Sequence, residues 1–258
     1  MSTTLKALIF DVDGTLADTE SAHRSAFNLA FREVGLTWNW DEALYTTLLE
    51  VAGGKERILF YWNMVDPDQV ATNKASEVIA QIHRIKTRHY EALVSTGEIS
   101  LRPGIQRLIR EAYAAQLPMA IATTTTSANI DVLLRTTMGV DWRKFFVTVC
   151  DASTARNKKP APDVYLAALE ALNLPATDCL AFEDSENGLR AARLAGIATI
   201  ITPSCYTICQ CFSEALQVLP HLGDPDHVLS SDFYDVSRGW VDLATLQRWH
   251  QGSLLEAA

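Results

Sequence analysis

A chain of 258 residues is long enough for one large or two small domains and for a substantial core. Its 48% hydrophobic and 21% charged residues give the balance of a globular protein, not of a disordered one. A formal charge of −9 without a basic run argues against nucleic acid as a partner, and no stretch approaches the eighteen apolar residues of a membrane span. No secretory or Arg-rich transit segment precedes the first apolar run, so a cytoplasmic location is expected.

That first run, Leu5 to Phe10, reads as a buried strand. It ends on Asp11 and Asp13, two positions apart, followed by Gly14, which permits a sharp turn. In an open parallel sheet, ligands bind beyond the carboxyl ends of the strands, so this pair falls where chemistry is done. Two close carboxylates repel unless a cation sits between them, and a hard divalent ion such as Mg²⁺ meets that need with oxygen ligands. A carboxylate so held can attack phosphorus to give an aspartyl-phosphate, and the second can move protons. A plain surface turn is the competing reading. A calcium loop is not, because its sixth and twelfth positions need Gly and Glu and are here Leu16 and Ala22.

Helical spacing follows over Ala22 to Val34, with Ala26, Leu29, Ala30 and Phe31 on one face, and again over Arg57 to Met64 and Ala75 to Leu93. More than a hundred residues separate the first strand from the second, far beyond one crossover, so a helical domain inserted after the first strand is the simplest account. Glu20 and His23 stand three apart on one helical face and can offer a carboxylate and an imidazole to sugar hydroxyls; an ordinary packed histidine is the alternative for His23. Lys55 and Arg57 follow two glycines, so a loop can carry their charges to a distal phosphate. Trp38 and Trp40 read as core of the insert, and Lys86 taken alone as a solvated lysine.

A cluster of turn residues over 97–104 marks the return to the first domain, and Gly104 to Ala115 reads as a core helix. Strand-like runs then recur at Met119 to Ala122, Phe145 to Val149, Leu180 to Phe182 and Thr199 to Ile201, separated by helical patterns. This is the mark of an α/β fold with a parallel sheet. Gly223 to Asp235 reads as loop, and Val241 to Trp249 as a short terminal helix. Polar groups sit at these strand ends: Thr123 and Thr124, then Lys159 in Lys158-Lys159-Pro160-Ala161-Pro162-Asp163, then Glu183-Asp184. Thr123 can donate a hydroxyl beside backbone N–H groups at a helix start, Lys159 can neutralise a phosphoryl group, and Glu183 and Asp184 can complete a metal shell directly or through water. Singly, each is as readily a helix cap, a solvated loop or a helix N-terminus.

Taken together, Asp11-x-Asp13-Gly14-Thr15, Thr123, Lys159 with its Pro-Ala-Pro-Asp, and Glu183-Asp184-Ser185 resemble the haloacid-dehalogenase-like hydrolase superfamily. The resemblance implies a Rossmann-like three-layer core with a central parallel sheet and an inserted α-helical C1-type cap, with core residues 1–17 and 98–258 and cap residues 18–97. It implies Mg²⁺, an aspartyl nucleophile at Asp11, a general acid/base at Asp13 whose backbone carbonyl also meets the metal, and a metal set of Asp11, Asp13, Glu183 and Asp184. The dehalogenase branch lacks the second Asp, so Asp13 argues for phosphate chemistry. Asp18-Thr19-Glu20-Ser21-Ala22-His23, Gly53-Gly54-Lys55-Glu56-Arg57-Ile58, Leu101-Arg102-Pro103-Gly104, Ala122-Thr123-Thr124-Thr125 with Asn129, and Leu222-Gly223-Asp224-Pro225 look like the CbbY subfamily. That likeness implies a monomeric phosphatase converting xylulose-1,5-bisphosphate, a Rubisco inhibitor, to xylulose 5-phosphate. Its implied substrate-binding residues are Glu20, His23, Gly54, Lys55, Arg57, Lys86, Thr124 and Asn129. A sugar phosphomutase of the β-phosphoglucomutase type would share Asp11, Asp13 and His23, and a non-catalytic binding protein on the same scaffold is the third reading.

Five cysteines are scattered without the pattern of a disulfide framework. Cys179 reads as a small buried residue. Cys205, Cys209 and Cys211 lack the fourth ligand and CxxC pair of a zinc site and depart from the subfamily pattern.

Overall fold

The computed structural model describes residues 4–70, 74–230, 232–233, 236 and 238–256, with the backbone alone for 254–256. Strand β1 (Ala7–Phe10) is followed by five helices: α1 (Glu20–Glu33), α2 (Glu42–Leu48), α3 (Gly54–Val65), α4 (Pro67–Val70) and α5 (Ala75–Val94). Then come α6 (Ile105–Ala114), β2 (Met119–Ala122), α7 (Ser127–Met138), β3 (Thr148–Cys150), α8 (Asp163–Leu172), β4 (Cys179–Glu183), α9 (Glu186–Leu194), β5 (Ala198–Ile201), β6 (Gln217–Val218) and α10 (Leu243–Glu256). Every strand pair is parallel, in the order β3-β2-β1-β4-β5-β6. The order reverses at β1, so a crevice opens beyond its carboxyl end, where Asp11 and Asp13 lie.

The three layers follow from alternation along the strands. Leu8 and Phe10, Met119 and Ile121, Leu180 and Phe182 face one side and meet Leu108 of α6, Leu133 of α7 and Leu246 of α10. Ala7 and Ile9, Ala120 and Ala122, Cys179 and Ala181 face the other and meet Tyr165 and Ala168 of α8 and Ala192 of α9. The second face is built of small side chains, which lets α8 and α9 lie close to the sheet. Cys179 is fully buried there, as its sequence setting suggests.

The helices between β1 and α6 carry a hydrophobic cluster of their own: Phe27, Phe31, Trp40, Tyr45, Leu48, Ile58, Trp62 and Ile82. Trp40 is fully buried, between Phe27 (centroids 4.7 Å apart) and Phe31 (4.8 Å). Trp38 packs edge-on against Phe31 and Trp62. Both tryptophans are therefore packing residues of the helical insert.

One strand differs from its sequence reading. Phe145 belongs to a 3₁₀ turn, Trp142–Phe145, and β3 spans Thr148–Cys150. Phe145 is apolar because its ring packs edge-on against Tyr113 of α6 (5.0 Å), not because it lies in the sheet. The short α2 and α4 carry no periodic signal long enough to read. Of the loop-like 223–235, residues 231, 234 and 235 lie outside the described residues.

Candidate active site

Residues from many stretches of the chain meet at the carboxyl ends of β1, β2 and β4, under the helical insert, around a cavity of about 580 Å³. Asp11 directly follows β1 and Glu183 ends β4, with the two strands in parallel register from Ala7↔Cys179 to Phe10↔Phe182. Gly14 turns the chain at φ +81°, and a Cβ there would lie 2.2 Å from Asp184 Oδ2; only glycine lets this turn lie against Asp184. The Arg102 guanidinium pins the turn from behind by donating to the carbonyls of Gly14, Thr202, Pro203 and Pro220.

Lys159 is buried at the centre. Its ammonium donates to Asp11 Oδ1 (2.6 Å), Glu183 Oε1 (2.5 Å) and the Ala122 carbonyl (2.9 Å), so the end of β2 helps aim it. Burial pushes the Asp11 carboxyl up to about 7; Glu183 and Asp13 add to the rise and Lys159 opposes it. For Lys159 burial favours the neutral form, but Asp11 and Glu183 outweigh it and raise its affinity for the proton. Burial, then Glu183 and Asp11, raise Asp184 well above the carboxylate range. Thr123 is buried beside them, its N–H bonded to the Cys150 carbonyl (3.0 Å). Thr124 and Asn129 flank the start of α7, whose N-cap is Thr126, and face the same cavity.

Asp11, Glu183 and Asp184 each place a carboxylate oxygen within 4.8 Å of the others, all three buried. Three buried carboxylates with all-oxygen donor atoms fit a hard divalent cation such as Mg²⁺. Asp13, expected at the metal through its backbone carbonyl, and Glu183, expected there directly or through water, both have side chains bonded to other groups. The Asp13 carboxylate is bonded to the insert: Oδ1 accepts from Thr19 Oγ1 (2.6 Å) and lies 2.9 Å from His23 Nε2. Both oxygens of Glu183 are engaged, Oε1 by Lys159 and Tyr165 (2.7 Å), Oε2 by the Asp184 N–H (3.3 Å) and the Ser185 hydroxyl (3.5 Å). Gly188 of α9 is glycine because a Cβ would fall 2.0 Å from that carboxylate.

The insert supplies the other wall, and here the roles differ from those read in the sequence. Lys86 is buried, not solvated; it donates to His23 Nδ1 (2.6 Å). His23 stacks on Tyr90 (4.0 Å, 11°) with both ring nitrogens engaged, so it is a partner of Asp13 and not a free ligand for sugar hydroxyls. The network assigns the tautomer: Nδ1 accepts from Lys86 and Nε2–H donates to Asp13. Burial works to raise Asp13, yet His23, Thr19 and Lys86 hold it well below the usual carboxylate range. Burial brings Lys86 down to about 8. Glu20 faces the cavity and accepts from the Tyr45 hydroxyl (2.8 Å). Arg57 also lines it but is buried, with donors given to the Leu48 and Val51 carbonyls and Tyr45 Oη. Three of its five N–H groups thus hold the insert together. Gly54 and the exposed Lys55 complete the rim.

Residues the sequence did not single out are now visible. His83 stands one helical turn before Lys86 and opposite Gly54, where a Cβ would be 2.8 Å from its Nε2; that i, i+3 spacing was the available signal. Burial, then Lys86 and Lys55, bring His83 down to about 3. Ser204 and Thr207 donate to Asp184 Oδ2 (3.1 and 3.2 Å), and Asp151 accepts from Ser127 and Ser153 below α7. Ser, Thr and Asp in loops carry no signal of such distant partners.

A family model described as haloacid dehalogenase-like hydrolase matches residues 5–196. "Protein CbbY, plasmid" of Cupriavidus necator is 59% identical over 253 residues, 98% of this chain and all of that protein. The chain belongs to the CbbY group of haloacid dehalogenase-like hydrolases. The crystal structure of CbbY from Rhodobacter sphaeroides in complex with phosphate is 43% identical, covers 84% of this chain and 94% of its own, and superposes with a TM-score of 0.79. A mutant of that CbbY in complex with xylulose-(1,5)bisphosphate is 39% identical, covers 94% and 99%, and reaches 0.82. Membership makes this chain a hydrolase with a Rossmann-like α/β core. Among the described residues no helix is long and apolar enough to cross a membrane.

Proposed function

We propose that this CbbY-group phosphatase is Mg²⁺-dependent, works through an aspartyl-phosphate on Asp11, and removes one phosphate from xylulose-1,5-bisphosphate to leave xylulose 5-phosphate. The observation that carries the reading is the buried set of Asp11, Lys159, Glu183 and Asp184 at the sheet's switch point, lining one cavity with Asp13. The complex of a relative with xylulose-(1,5)bisphosphate supports the choice of sugar.

Asp11, Asp184 and the backbone carbonyl of Asp13 would hold the ion, with Glu183 behind them. Bound there, Mg²⁺ supplies positive charge to the phosphoryl oxygens. Lys159 keeps Asp11 oriented and offsets charge on the transferring group, while Thr123 and the N–H groups leading into α7 receive phosphate oxygens. Asp11 attacks phosphorus, and Asp13 protonates the departing sugar oxygen. Free of substrate, Asp13 is held ionised, as the second step needs, where it takes a proton from water. The arriving phosphate raises its proton affinity, because like charges disfavour ionisation, and this readies it for the first step. Residues 18–97 act as a cap over the core of 1–17 and 98–258. Lys55, Arg57 and Lys86 give the cap its positive lining for the second phosphate, with Glu20 and Asn129 oriented to the sugar.

Phosphate release across C5 and C6 sugar mono- and bisphosphates tests this. The highest kcat/KM is expected for xylulose-1,5-bisphosphate with Mg²⁺, and a clear preference for a monophosphate would refute the substrate assignment. Asp11→Asn should lose turnover by a factor of about 10⁴ or more while remaining folded, the scale seen when a covalent nucleophile is removed. Activity within tenfold of the parent would end the covalent reading.

A further inference from the structure

Between β5 and β6 the chain makes one turn of helix and a bend. Cys205, Cys209 and Cys211 all stand exposed on it as free thiols. Three side chains on the same ten residues point inward. Tyr206 leaves the core domain altogether: it is buried in the insert's aromatic cluster, edge-on to Tyr45 (5.9 Å, 87°), with its hydroxyl 3.1 Å from Ser21 Oγ. Ser204 and Thr207 donate to Asp184 Oδ2. Gln210 accepts from the N–H of Glu186, the first residue of α9, and the Cys211 N–H reaches the Glu186 carboxylate (3.4 Å). One short segment thus ties the insert, an acidic residue of the proposed metal site, and the helix that follows it.

We propose that Cys205, Cys209 and Cys211 form a thiol-modification site through which small-molecule disulfides switch the enzyme off reversibly. Residues 204–208 close one helical turn, with the Ile208 N–H on the Ser204 carbonyl (3.0 Å). Side chains four apart on such a turn have Cβ atoms about 5–6 Å apart, whereas a disulfide needs about 3.5–4.5 Å. Cys205 lies in that turn and Cys209 directly follows it, so holding the two at disulfide spacing constrains the backbone that bears Tyr206 and Thr207. A bond from either of them to Cys211 folds back the residues that reach Glu186. The inward ties and the crosslink compete for the same backbone.

The chemistry is thiol–disulfide exchange. One cluster thiolate attacks a sulfur of the small disulfide and expels one thiolate. A second cluster thiolate attacks the protein sulfur of that mixed disulfide and expels the other. Two protein thiols are oxidised to one disulfide, the reagent is reduced to two thiols, and the two protons pass to them. Hydrogen bonds from the Ser213 N–H and hydroxyl lower the Cys211 thiol below its usual range, which makes this fully exposed residue the natural first attacker. The buried Cys150 and Cys179 are raised by burial and stand outside the exchange.

The activity readout rests on the phosphatase reading; the structural readouts do not. The reduced full chain is incubated with oxidised glutathione and followed by intact and peptide mass, by amide hydrogen exchange and by hydrolysis of an aryl phosphate with Mg²⁺. The expected product has lost two hydrogens within the peptide spanning 204–213. Exchange should rise in α2, where Tyr45 meets Tyr206. Hydrolysis should fall about tenfold or more, as loss of the Ser204 and Thr207 hydrogen bonds to Asp184 implies, and return with dithiothreitol. The triple variant Cys205→Ser, Cys209→Ser, Cys211→Ser should hydrolyse normally and ignore the oxidant. Thiols that stay unpaired, or a disulfide that moves neither exchange nor hydrolysis, would overturn the proposal. A reduced chain that hydrolyses no phosphate ester would defeat the phosphatase reading instead, with mass and exchange still deciding the switch.

Discussion

Lys159 touches two carboxylates at once, and its removal separates two effects. Without it Asp11 and Glu183 face each other unneutralised, and the nucleophile becomes harder to ionise. Lys159→Met is expected to lower kcat by about 10²–10³ and to move the acidic limb of the pH–rate profile upward; a drop in kcat with an unmoved profile would leave Lys159 with a purely structural part. Asp11 itself gives a pH prediction. Its carboxyl stands at about 7 in the folded protein against 3.8 unfolded, so between those values the metal-free fold holds the extra proton. Metal-free stability contributed by this group is full below about 4 and declines as the pH rises through about 7. Mg²⁺ held at Asp11 would displace that proton over the same range, so its affinity should rise from pH 6 to pH 8 with net proton release. Calorimetry in buffers of different ionisation enthalpy would detect this, and a flat affinity would mean that Asp11 is ionised throughout. Asp11 and Glu183 were legible because each directly follows an apolar run, whereas Lys159 was legible only through its Lys-Pro-Ala-Pro-Asp setting. What the sequence could not carry was direction. Asp13 and Glu183 are chemically suited to a metal, and only folding turns one carboxylate to Thr19 and His23 and fills the other with donors.

The strand-end turns depend on one buried cation that is no part of the chemistry. Arg102 donates to carbonyls of the turn after β1 (Gly14), the exit of β5 (Thr202 and Pro203) and the segment after β6 (Pro220). Arg102→Met leaves these carbonyls without their donor, at about 1–3 kcal/mol each where water cannot replace it. A loss of roughly 3 kcal/mol or more is expected, lowering Tm by about 10 °C. A shift under about 2 °C would show that water fills the gap. Strands β1, β2, β4 and β5 were readable because both faces are covered, which forces a continuous apolar run. β3 was misplaced because Phe145 is apolar for a different reason, its contact with Tyr113. The motif at Leu222-Gly223-Asp224-Pro225 is likewise a packing device: Asp224 accepts from the Gly104 N–H at the head of α6 (2.6 Å).

Across the whole molecule, the insert and the core meet away from Asp13 and Tyr206 through further polar contacts at the cavity rim. Asn187 of α9 donates to the Glu50 carbonyl (3.0 Å), and Lys158 lies 3.9 Å from Glu56 at the start of α3. An exposed pair such as the second contributes little. The first is a single amide bond worth about 0.5–1.5 kcal/mol. Asn187→Ala should therefore raise KM for the bisphosphate about threefold to tenfold with kcat and Tm nearly unchanged; an equal fall in kcat would place Asn187 in the chemical step. The two-part architecture was visible in the long helical interval after β1. The contacts between the parts were not, because Tyr206 and Asn187 join the insert from remote positions in loops and helix starts.

Thr19, His23 and Lys86, the three groups that keep Asp13 ionised, all belong to the insert, while Asp13 stays with the sheet. Swinging the two parts away from each other would strip all three from the carboxylate together and raise its basicity. Opening is then coupled to proton uptake from solvent, and closing to its release. Such an opening would make the strength of the central acid a function of molecular shape.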